Sequence, residues 1–315
     1  MNLEPDDQTW WLVDGVLTIL AMSSVAGGIL SQTVRTDRER ATVQQLNARN
    51  RAWWMMLAVA GVAMATGGIG SLILFAFASF LALREFITFT PTRQGDHRTL
   101  FWVFFVILPL QYVLIAIKWH GLFSIMIPVY AFLFIPLRSA LAGDGGRFLE
   151  RTAKIQWGLM LCVYGVSCAP ALLSLDIAHY HGQNAKLLLY FLLVVEMSDV
   201  LQDIWDKMLG RHKMALTLSP DKTWEGFIGG VLSATLIGTG LWWATPFTPL
   251  QSAGMSLAIT LMGFAGRLVM SAIKRDRGVK DYGHMLAGHG GIMDRIDSLC
   301  FAAPIFFHLT WFYFT

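Results

Sequence analysis

The chain has 315 residues, 55% of them hydrophobic and 14% charged, with a mean hydropathy of +0.53 and a formal net charge of +3. This composition excludes a soluble globular domain and predicts a polytopic membrane protein. The cysteines, Cys162, Cys168 and Cys300, lie in or beside apolar segments and lack the spacing of a zinc site. We therefore expect neither a disulfide framework nor structural zinc.

The apolar segments predict an all-α protein with about ten membrane spans. The N-terminal sequence MNLEPDDQTWW is acidic and lacks the basic region of a secretory signal, so the first span is predicted to remain as an anchor. The run Trp53–Leu83 could form one tilted helix, but Gly67–Gly70 favours a turn between two short helices. The predicted spans cover residues 10–31, 53–66, 70–83, 100–117, 121–137, 155–175, 187–206, 226–245, 251–273 and 299–314.

Basic residues fall almost entirely on one side of this arrangement. If the N-terminus lies outside, every Lys and Arg except Lys118 and Lys186 is in an inner segment. The positive-inside rule then predicts that both termini lie on the non-cytoplasmic face. We divide the chain into N-terminal helices at 1–186 and a C-terminal region at 187–315 that carries the candidate site, both parts of one integral unit.

Four acidic residues interrupt the apolar segment 187–206. These acids, spaced three, four and three residues apart, are Glu196, Asp199, Asp203 and Asp206. Such spacing places them on one face of a helix. Acids at membrane depth are costly and usually face a polar interior, which favours a functional role. The structural alternative is that Asp206 pairs with Lys207 or Arg211 at the interface while Glu196 is protonated.

A second polar segment, SPDKTWEG at 219–226, precedes the next predicted span. Pro220 is expected to restrain a turn here. Ser219, Lys222 and Thr223 supply two hydroxyls and a cation, which are groups that bind phosphate oxygens. An ordinary loop could also contain these residues, so this segment alone gives weak support for a site.

The segment Ser271–Asp297, SAIKRDRGVKDYGHMLAGHGGIMDRID, lies between the last two predicted spans. Its cations could neutralise phosphates, and the backbone N–H groups of Gly290-Gly291 could approach an anion without a Cβ in the way. Asp294 and Asp297 share one face at the start of a predicted helix. They could carry a divalent metal, or simply cap the helix and complement its dipole. The combination points to phosphate chemistry on a nucleotide.

These segments together resemble the phosphatidate cytidylyltransferases, or CDP-diacylglycerol synthases. The pattern S-x-I-K-R-x4-K-D-x-G-x2-L-x2-H-G-G-x2-D-R-x-D of the C-terminal segment looks like the signature of that family. The positions that match are Ser271, Lys274, Arg275, Lys280, Asp281, Gly283, His289, Gly290, Gly291, Asp294, Arg295 and Asp297. The segment at 219–226 is similar to the family's S-P-x-K-T-x-E-G, and Asp199 and Gly210 fall on its upstream Asp and Gly.

The resemblance covers about residues 190–315; before them only Leu83–Phe86 gives a short match. Three departures stand out. Ala287 replaces a usual Pro or Gly, and Arg267 replaces an Asp that the family is taken to use as a metal ligand. Conversely, Asp203 and Asp206 occupy positions where the family tends to have an aromatic residue and Gly. Two hypotheses follow: the carboxylate set is relocated, with Arg267 paired to it, or the site has lost metal.

The resemblance implies transfer of the cytidylyl group of CTP to phosphatidate for phospholipid synthesis, with Mg²⁺ or another divalent cation as cofactor. It implies a metal on Asp294 and Asp297, helped by Asp199 and, under the relocation hypothesis, by Asp203 or Asp206. The catalytic residues would be Ser219, Lys222, Lys274, Asp294 and Asp297. The substrate-binding residues would be Thr223, Arg275, Lys280, Asp281, His289, Gly290, Gly291 and Arg295.

The expected partners are CTP, phosphatidate and membrane lipids, and a homodimer is left open. The expected location is a bacterial inner membrane, with the active site facing the cytoplasm. Nucleic-acid binding is not expected, because the basic residues are interleaved with acids and divided among loops. The alternatives are a CTP-dependent lipid kinase, a cytidylyltransferase for another lipid phosphate, a non-catalytic relative that binds lipid or nucleotide, and an ion-coupled transporter.

Overall fold

The computed structural model describes residues 7–33, 66–89, 93–215, 217–279, 282 and 291–315, together with the single residues 43, 47, 50, 54 and 61. Most of these residues are helical, which confirms the prediction of a helical membrane protein. A helix is the expected form for such an apolar chain, because it satisfies its own backbone hydrogen bonds where no water is available.

Long helices make up the described part of the first half. They are α1 (Asp7–Thr33), α2 (Gly67–Thr88), α3 (His97–Ala116), α4 (His120–Ala140) and α5 (Phe148–Ser174). The last three contain π-helical stretches at Val103–Ile107, Met126–Ala131 and Leu159–Gly165. Helix α5 lies in the interior, since 89% of its most apolar stretch is buried against other parts of the protein.

The second half alternates helices with short polar connections. Its elements are α6 (Asn184–Leu209), β1 (Lys213–Ala215), β2 (Ser219–Thr223), α7 (Trp224–Gly240), α8 (Pro249–Asp276), the single turn α9 (Met293–Ile296) and α10 (Leu299–Phe314). Aromatic and hydroxyl side chains join these helices. The rings of Phe191 and Phe306 stack with centroids 5.2 Å apart, and Tyr190 Oη lies 2.7 Å from Ser256 Oγ. These contacts fix α6, α8 and α10 relative to one another.

Six helices of the described chain are long and apolar enough to cross a membrane. They are Val13–Gln32, Gly67–Thr88, His97–Ala116, His120–Ala140, Phe148–Ser174 and Pro249–Asp276. The spans predicted at 187–206, 226–245 and 299–314 are also helical, as α6, α7 and α10. However, α6 carries many charged residues, while α7 and α10 have only 17 and 16 residues. The count of ten spans therefore stays a prediction.

The turn predicted at Gly67–Gly70 is wrong, because these residues form the first turn of α2. Thr66 is in a turn and the helix begins at Gly67, so the span predicted at 70–83 is longer than expected and continues to Thr88. The span predicted at 53–66 falls almost entirely outside the described residues. The division of Trp53–Leu83 into two spans stays a prediction for the same reason.

A two-stranded antiparallel hairpin connects α6 to α7. Lys213 pairs with Thr223 and Ala215 pairs with Ser219. We expected a turn restrained by Pro220, but this residue lies within β2, and the turn precedes it, where the N–H of Leu218 donates to the carbonyl of Ala215 (3.2 Å). A proline is tolerated in such a strand because a two-stranded sheet has a free edge that needs no N–H donor.

Candidate active site

The four acids of α6, Glu196, Asp199, Asp203 and Asp206, form an acidic stripe. This stripe contacts the hairpin through Lys222. Its Nζ donates to Asp203 Oδ1 at 2.6 Å and to Asp206 Oδ2 at 3.1 Å. The other oxygen of Asp206 accepts the backbone N–H of Thr223 at 2.9 Å and its hydroxyl at 2.7 Å. Helical spacing predicted that these acids share a face, and the structure shows that this face holds β2 in place.

Thr223 links the hairpin to α7. Its Oγ1 accepts the N–H of Gly226 at 3.1 Å, which caps the helix. Glu225 secures the other side of the junction, because its Oε2 accepts the backbone N–H groups of Arg211 (3.2 Å) and His212 (3.1 Å). The polar residues predicted to form a loop are therefore held in a defined conformation against α6.

Gly226 marks the close approach of α7 to α6. A Cβ at this position would lie 1.9 Å from Asp206 Oδ1. We expect Gly226→Ala to lower the free energy of unfolding by about 1–3 kcal/mol, because Asp206 would have to leave Thr223. The measurement is reversible unfolding in mixed micelles.

Gly240 provides a matched control for this prediction, since it lies in the same helix and a Cβ there would meet nothing within 4 Å. Gly240→Ala should be neutral or stabilising by up to about 1 kcal/mol. Equal effects of the two substitutions would contradict the packing of Gly226 against Asp206.

Arg267 of α8 inserts a positive charge into the same stripe. Its Nε lies 3.1 Å from Asp199 Oδ1, its Nη1 lies 4.0 Å from Asp203 Oδ1, and its Nη2 donates to Gln202 Oε1. Arg267 Nε and Asp199 Oδ1 are close enough to form an ion pair, but they are not aligned for a hydrogen bond. Arg267 thus pairs with the carboxylates of α6. Relocation of the metal ligands to Asp203 or Asp206 stays a prediction.

Asp294 organises the segment that follows α8. Its Oδ1 accepts Lys274 Nζ at 3.0 Å, and its Oδ2 accepts the N–H groups of Tyr282 (3.0 Å) and Gly291 (2.9 Å). One carboxylate therefore joins the end of α8 to both flanks of residues 283–290. The second flank leads directly into α9.

Asp297 lies beside Asp199, with Ser298 between them. Ser298 Oγ donates to Asp199 Oδ2 at 2.7 Å, and the N–H of Ser298 donates to Asp297 Oδ1 at 2.8 Å. Burial, followed by the negative charge of Asp199, raises the pKa of Asp297 to about 7, while Arg267 and Lys274 act in the opposite direction. Two neighbouring carboxylates of this kind are suited to a cation.

The polar segments at 219–226 and after α8 lie at the same end of the bundle. Arg275 Nε donates to the carbonyl of Leu218 at 3.2 Å, so the end of α8 contacts the hairpin turn. Ser219 is partly buried in β2, and Arg295 is partly buried in α9. The predicted site residues outside the described chain are Lys280, Asp281, His289 and Gly290.

The carboxylates of the site could hold a divalent metal with few protein ligands. In the described part of the chain, no group of three or more His, Cys, Asp or Glu side chains is arranged to hold a metal ion. A Mg²⁺ ion, however, commonly takes only one or two protein carboxylates and completes its shell with water and phosphate oxygens. Asp199 and Asp297, bridged by Ser298, fit this smaller requirement. The oxygens of Asp294 already accept three N–H donors.

Three contact residues were not singled out from the sequence. Ser298 bridges the two carboxylates, Gln202 binds Arg267, and Glu85 of α2 accepts the N–H of Met293 at 3.0 Å. Serine and glutamine give no distinctive pattern. Glu85 did give a signal, since an acid within an apolar span is costly and usually has a polar partner.

The fold and the site define a helical integral membrane protein with a charged cluster built into one end of its bundle. Residues 47–313 match the model of the cytidylyltransferase family. The chain belongs to this family and is therefore a nucleotidyltransferase, which confirms the resemblance noted in the sequence.

Two kinds of relative are similar to this chain. The uncharacterized protein YnbB of Escherichia coli (strain K12) is 39% identical over 268 residues, which cover 84% of this chain and 87% of the relative. The phosphatidate cytidylyltransferase of Staphylococcus aureus (strain COL) is 40% identical over 126 residues, which cover 39% of this chain and 48% of the relative. The corresponding Staphylococcus haemolyticus enzyme is 38% identical over 122 residues, 38% of this chain and 46% of the relative. This chain thus spans about half the length of the phosphatidate cytidylyltransferases that it matches.

Proposed function

We propose that this protein transfers the cytidylyl group of CTP to phosphatidate and forms CDP-diacylglycerol and pyrophosphate. The observation that carries the proposal is the convergence of Asp199, Asp297 and Lys222 at one end of the bundle, together with membership of the cytidylyltransferase family. Similarity to named phosphatidate cytidylyltransferases supports this choice of lipid.

The reaction joins two polyanions, so its barrier is mainly charge repulsion and positioning. An oxygen of the phosphatidate phosphate attacks the α-phosphorus of CTP, the new P–O bond forms, and the bond from that phosphorus to the β-phosphate oxygen breaks with release of pyrophosphate. The lipid phosphate is ionised at neutral pH and needs no general base. His289 is therefore proposed to donate a hydrogen bond or to pack in the nucleotide turn with Gly290 and Gly291.

The remaining side chains are assigned by charge and position. Lys222 and Ser219 lie on the hairpin, and Lys274 and Arg275 lie at the end of α8, where they would bind phosphates of the two substrates. Thr223 would hold β2 in position for this contact. Further phosphate or nucleotide contacts are assigned to Lys280, Asp281 and Arg295. We place this end of the bundle at the cytoplasmic face, where CTP is available and phosphatidate can enter sideways from the bilayer.

A divalent cation, when bound, would neutralise the phosphates and stabilise the charge that develops on pyrophosphate. Asp297 and Asp199 would hold it, with Asp294 as the further ligand implied by the sequence. The protein residues would orient the nucleotide and the lipid phosphate around it. Asp203 and Asp206 are already paired with Lys222, so we assign them to that cation first.

Removal of the divalent metal is expected to lower the rate of turnover. It should also remove the stabilisation that the bound metal gives the folded protein. Chelation with EDTA should lower the rate of CDP-lipid formation by about 1,000-fold or more, because several kcal/mol of charge stabilisation would be lost. Addition of Mg²⁺ at about 100 times its Kd should stabilise the folded protein by about 2.7 kcal/mol. Thermal unfolding with and without Mg²⁺ measures this second effect without turnover. Full activity in EDTA would exclude the metal-dependent proposal.

The proposed reaction is tested by following individual phosphates of CTP. Purified protein in detergent is supplied with Mg²⁺, phosphatidate and CTP labelled at either the α- or the γ-phosphorus. The proposal expects α-label in the lipid and γ-label in released pyrophosphate. Transfer of γ-label to the lipid would instead identify a CTP-dependent kinase, and absence of both products would reject phosphatidate as the acceptor.

A different lipid phosphate is the second candidate acceptor. The observation that favours it is Arg267, a partly buried cation within the acidic stripe at a position where the resembling family has Asp. Competition of other lipid phosphates with phosphatidate for the α-label would identify the preferred acceptor.

A further inference from the structure

Glu85 connects the N-terminal helices to the segment that precedes α10. It lies in α2, and its Oε2 accepts the backbone N–H of Met293 at 3.0 Å. Met293 is fully buried, and its Sδ lies 3.4 Å from Cys162 Sγ of α5. Residues that are 208 positions apart in the sequence therefore meet directly.

Gly291 lies against the same carboxylate. A Cβ at this position would be 1.5 Å from Glu85 Oε1 and 2.5 Å from Oε2, so any side chain would displace the carboxylate or the turn. The N–H of Gly291 points instead to Asp294 Oδ2 at 2.9 Å. The turn at 291–293 is thus held between two carboxylates, Asp294 from within the segment and Glu85 from α2.

Helix α2 is itself firmly placed, so Glu85 is more than a flexible surface acid. Its neighbours Leu83 and Phe86 are buried and pack closely against Gly158 of α5, where an added Cβ would lie 3.2 and 3.0 Å from them. A carboxylate fixed in this way can determine where the turn lies relative to the membrane helices. A flexible side chain would only follow the turn.

We propose that Glu85 is a positioning residue for the turn at 291–293 and holds this turn in the geometry that CTP requires. The inference rests on the proposed function, since it assigns the turn to CTP. It also gives the N-terminal helices a direct part in the site. Glu85 acts through the backbone of the turn and has no assigned contact with the reacting phosphates.

The experiment uses the full-length protein in detergent with variants at both ends of the contact. Glu85→Ala should lower kcat/KM for CTP by roughly 10-fold to 150-fold, the effect of losing a hydrogen bond to a charged group, while KM for phosphatidate changes less than about twofold. Glu85→Gln keeps a neutral acceptor oxygen for Met293 and should recover part of this loss. Glu150→Ala is the matched control, because Glu150 is an acid of the same half whose described partners are Lys154 and Arg147.

A double substitution tests the close approach itself. Gly291→Ala alone should be severely impaired, because the new methyl group meets Glu85. In Glu85→Ala/Gly291→Ala this clash is removed, so the double variant should be at least about fivefold more active than Gly291→Ala. A double variant that is no better than Gly291→Ala, or a Glu85→Ala variant that affects the two substrates equally, would overturn the inference.

Hydrogen exchange separates this inference from the proposed function. In the absence of substrates, peptides that contain Met293 should exchange faster in Glu85→Ala than in the unmodified protein or in Glu150→Ala. Unchanged exchange would overturn the role of Glu85 whether or not the protein turns over. If the exchange result holds but no cytidylyl transfer occurs with phosphatidate, the proposed function fails and the assignment of the turn to CTP fails with it.

Discussion

Replacing Asp297 by Asn is expected to reduce CDP-lipid formation by about 1,000-fold, since several kcal/mol of charge stabilisation depend on the cation that this carboxylate would hold. The same substitution should leave the fold intact. It removes one of two neighbouring negative charges, so relief of repulsion with Asp199 should keep the unfolding temperature unchanged or raise it. The stabilising effect of Mg²⁺ on unfolding should disappear.

The matched control for Asp297→Asn is Asp221→Asn, because Asp221 is an exposed carboxylate on the hairpin. This control should retain the activity and the Mg²⁺ response of the unmodified protein. Near-full CTP-dependent activity in Asp297→Asn would count decisively against the proposed metal role of Asp297.

Replacing Arg267 by Met is expected to destabilise the protein by about 3–5 kcal/mol, because it leaves Asp199 in a partly buried position without its nearest cation. Asp199→Asn in the same chain should recover part of this loss, since the amide carries no unpaired charge. Reversible unfolding in mixed micelles of the unmodified protein, Arg267→Met, Asp199→Asn and the double variant gives the coupling energy between the two residues.

Arg277 serves as the control for Arg267. Its Nε lies 3.3 Å from Asp276 at the end of α8, where the Asp side chain is 74% exposed. Arg277→Met should change stability by at most about 1 kcal/mol, as expected for an exposed ion pair. Equal costs for Arg267→Met and Arg277→Met would show that Arg267 is not the counterion of the acidic stripe.

The helices and the shared face of the acids could be predicted from sequence periodicity. Spacings of three and four residues placed Asp199, Asp203 and Asp206 together, and all three contact cations from other elements. The partners could not be predicted in the same way. Periodicity identifies the polar face of a helix, but not which neighbouring helix or strand lies opposite that face.

The hairpin and the Glu85 contact show two further limits of the sequence. Ser219–Thr223 looks like a turn because Pro220 dominates its local preference, yet pairing with Lys213–Ala215 makes it a strand. The contact between Glu85 and Met293 depends on the packing of the whole bundle. Sequence patterns near either residue do not show that the two residues meet.

The pairing of Lys222 with the acidic stripe has a consequence for the proposed reaction. An ammonium group has three N–H donors, and Asp203 and Asp206 occupy two of them. Under the proposed function, a phosphate that binds Lys222 would have to compete with these aspartates, which would weaken its net binding. The same competition would favour departure of pyrophosphate, because the aspartates would pair with Lys222 again as the product dissociates. The acidic stripe would then exchange some substrate affinity for faster product release.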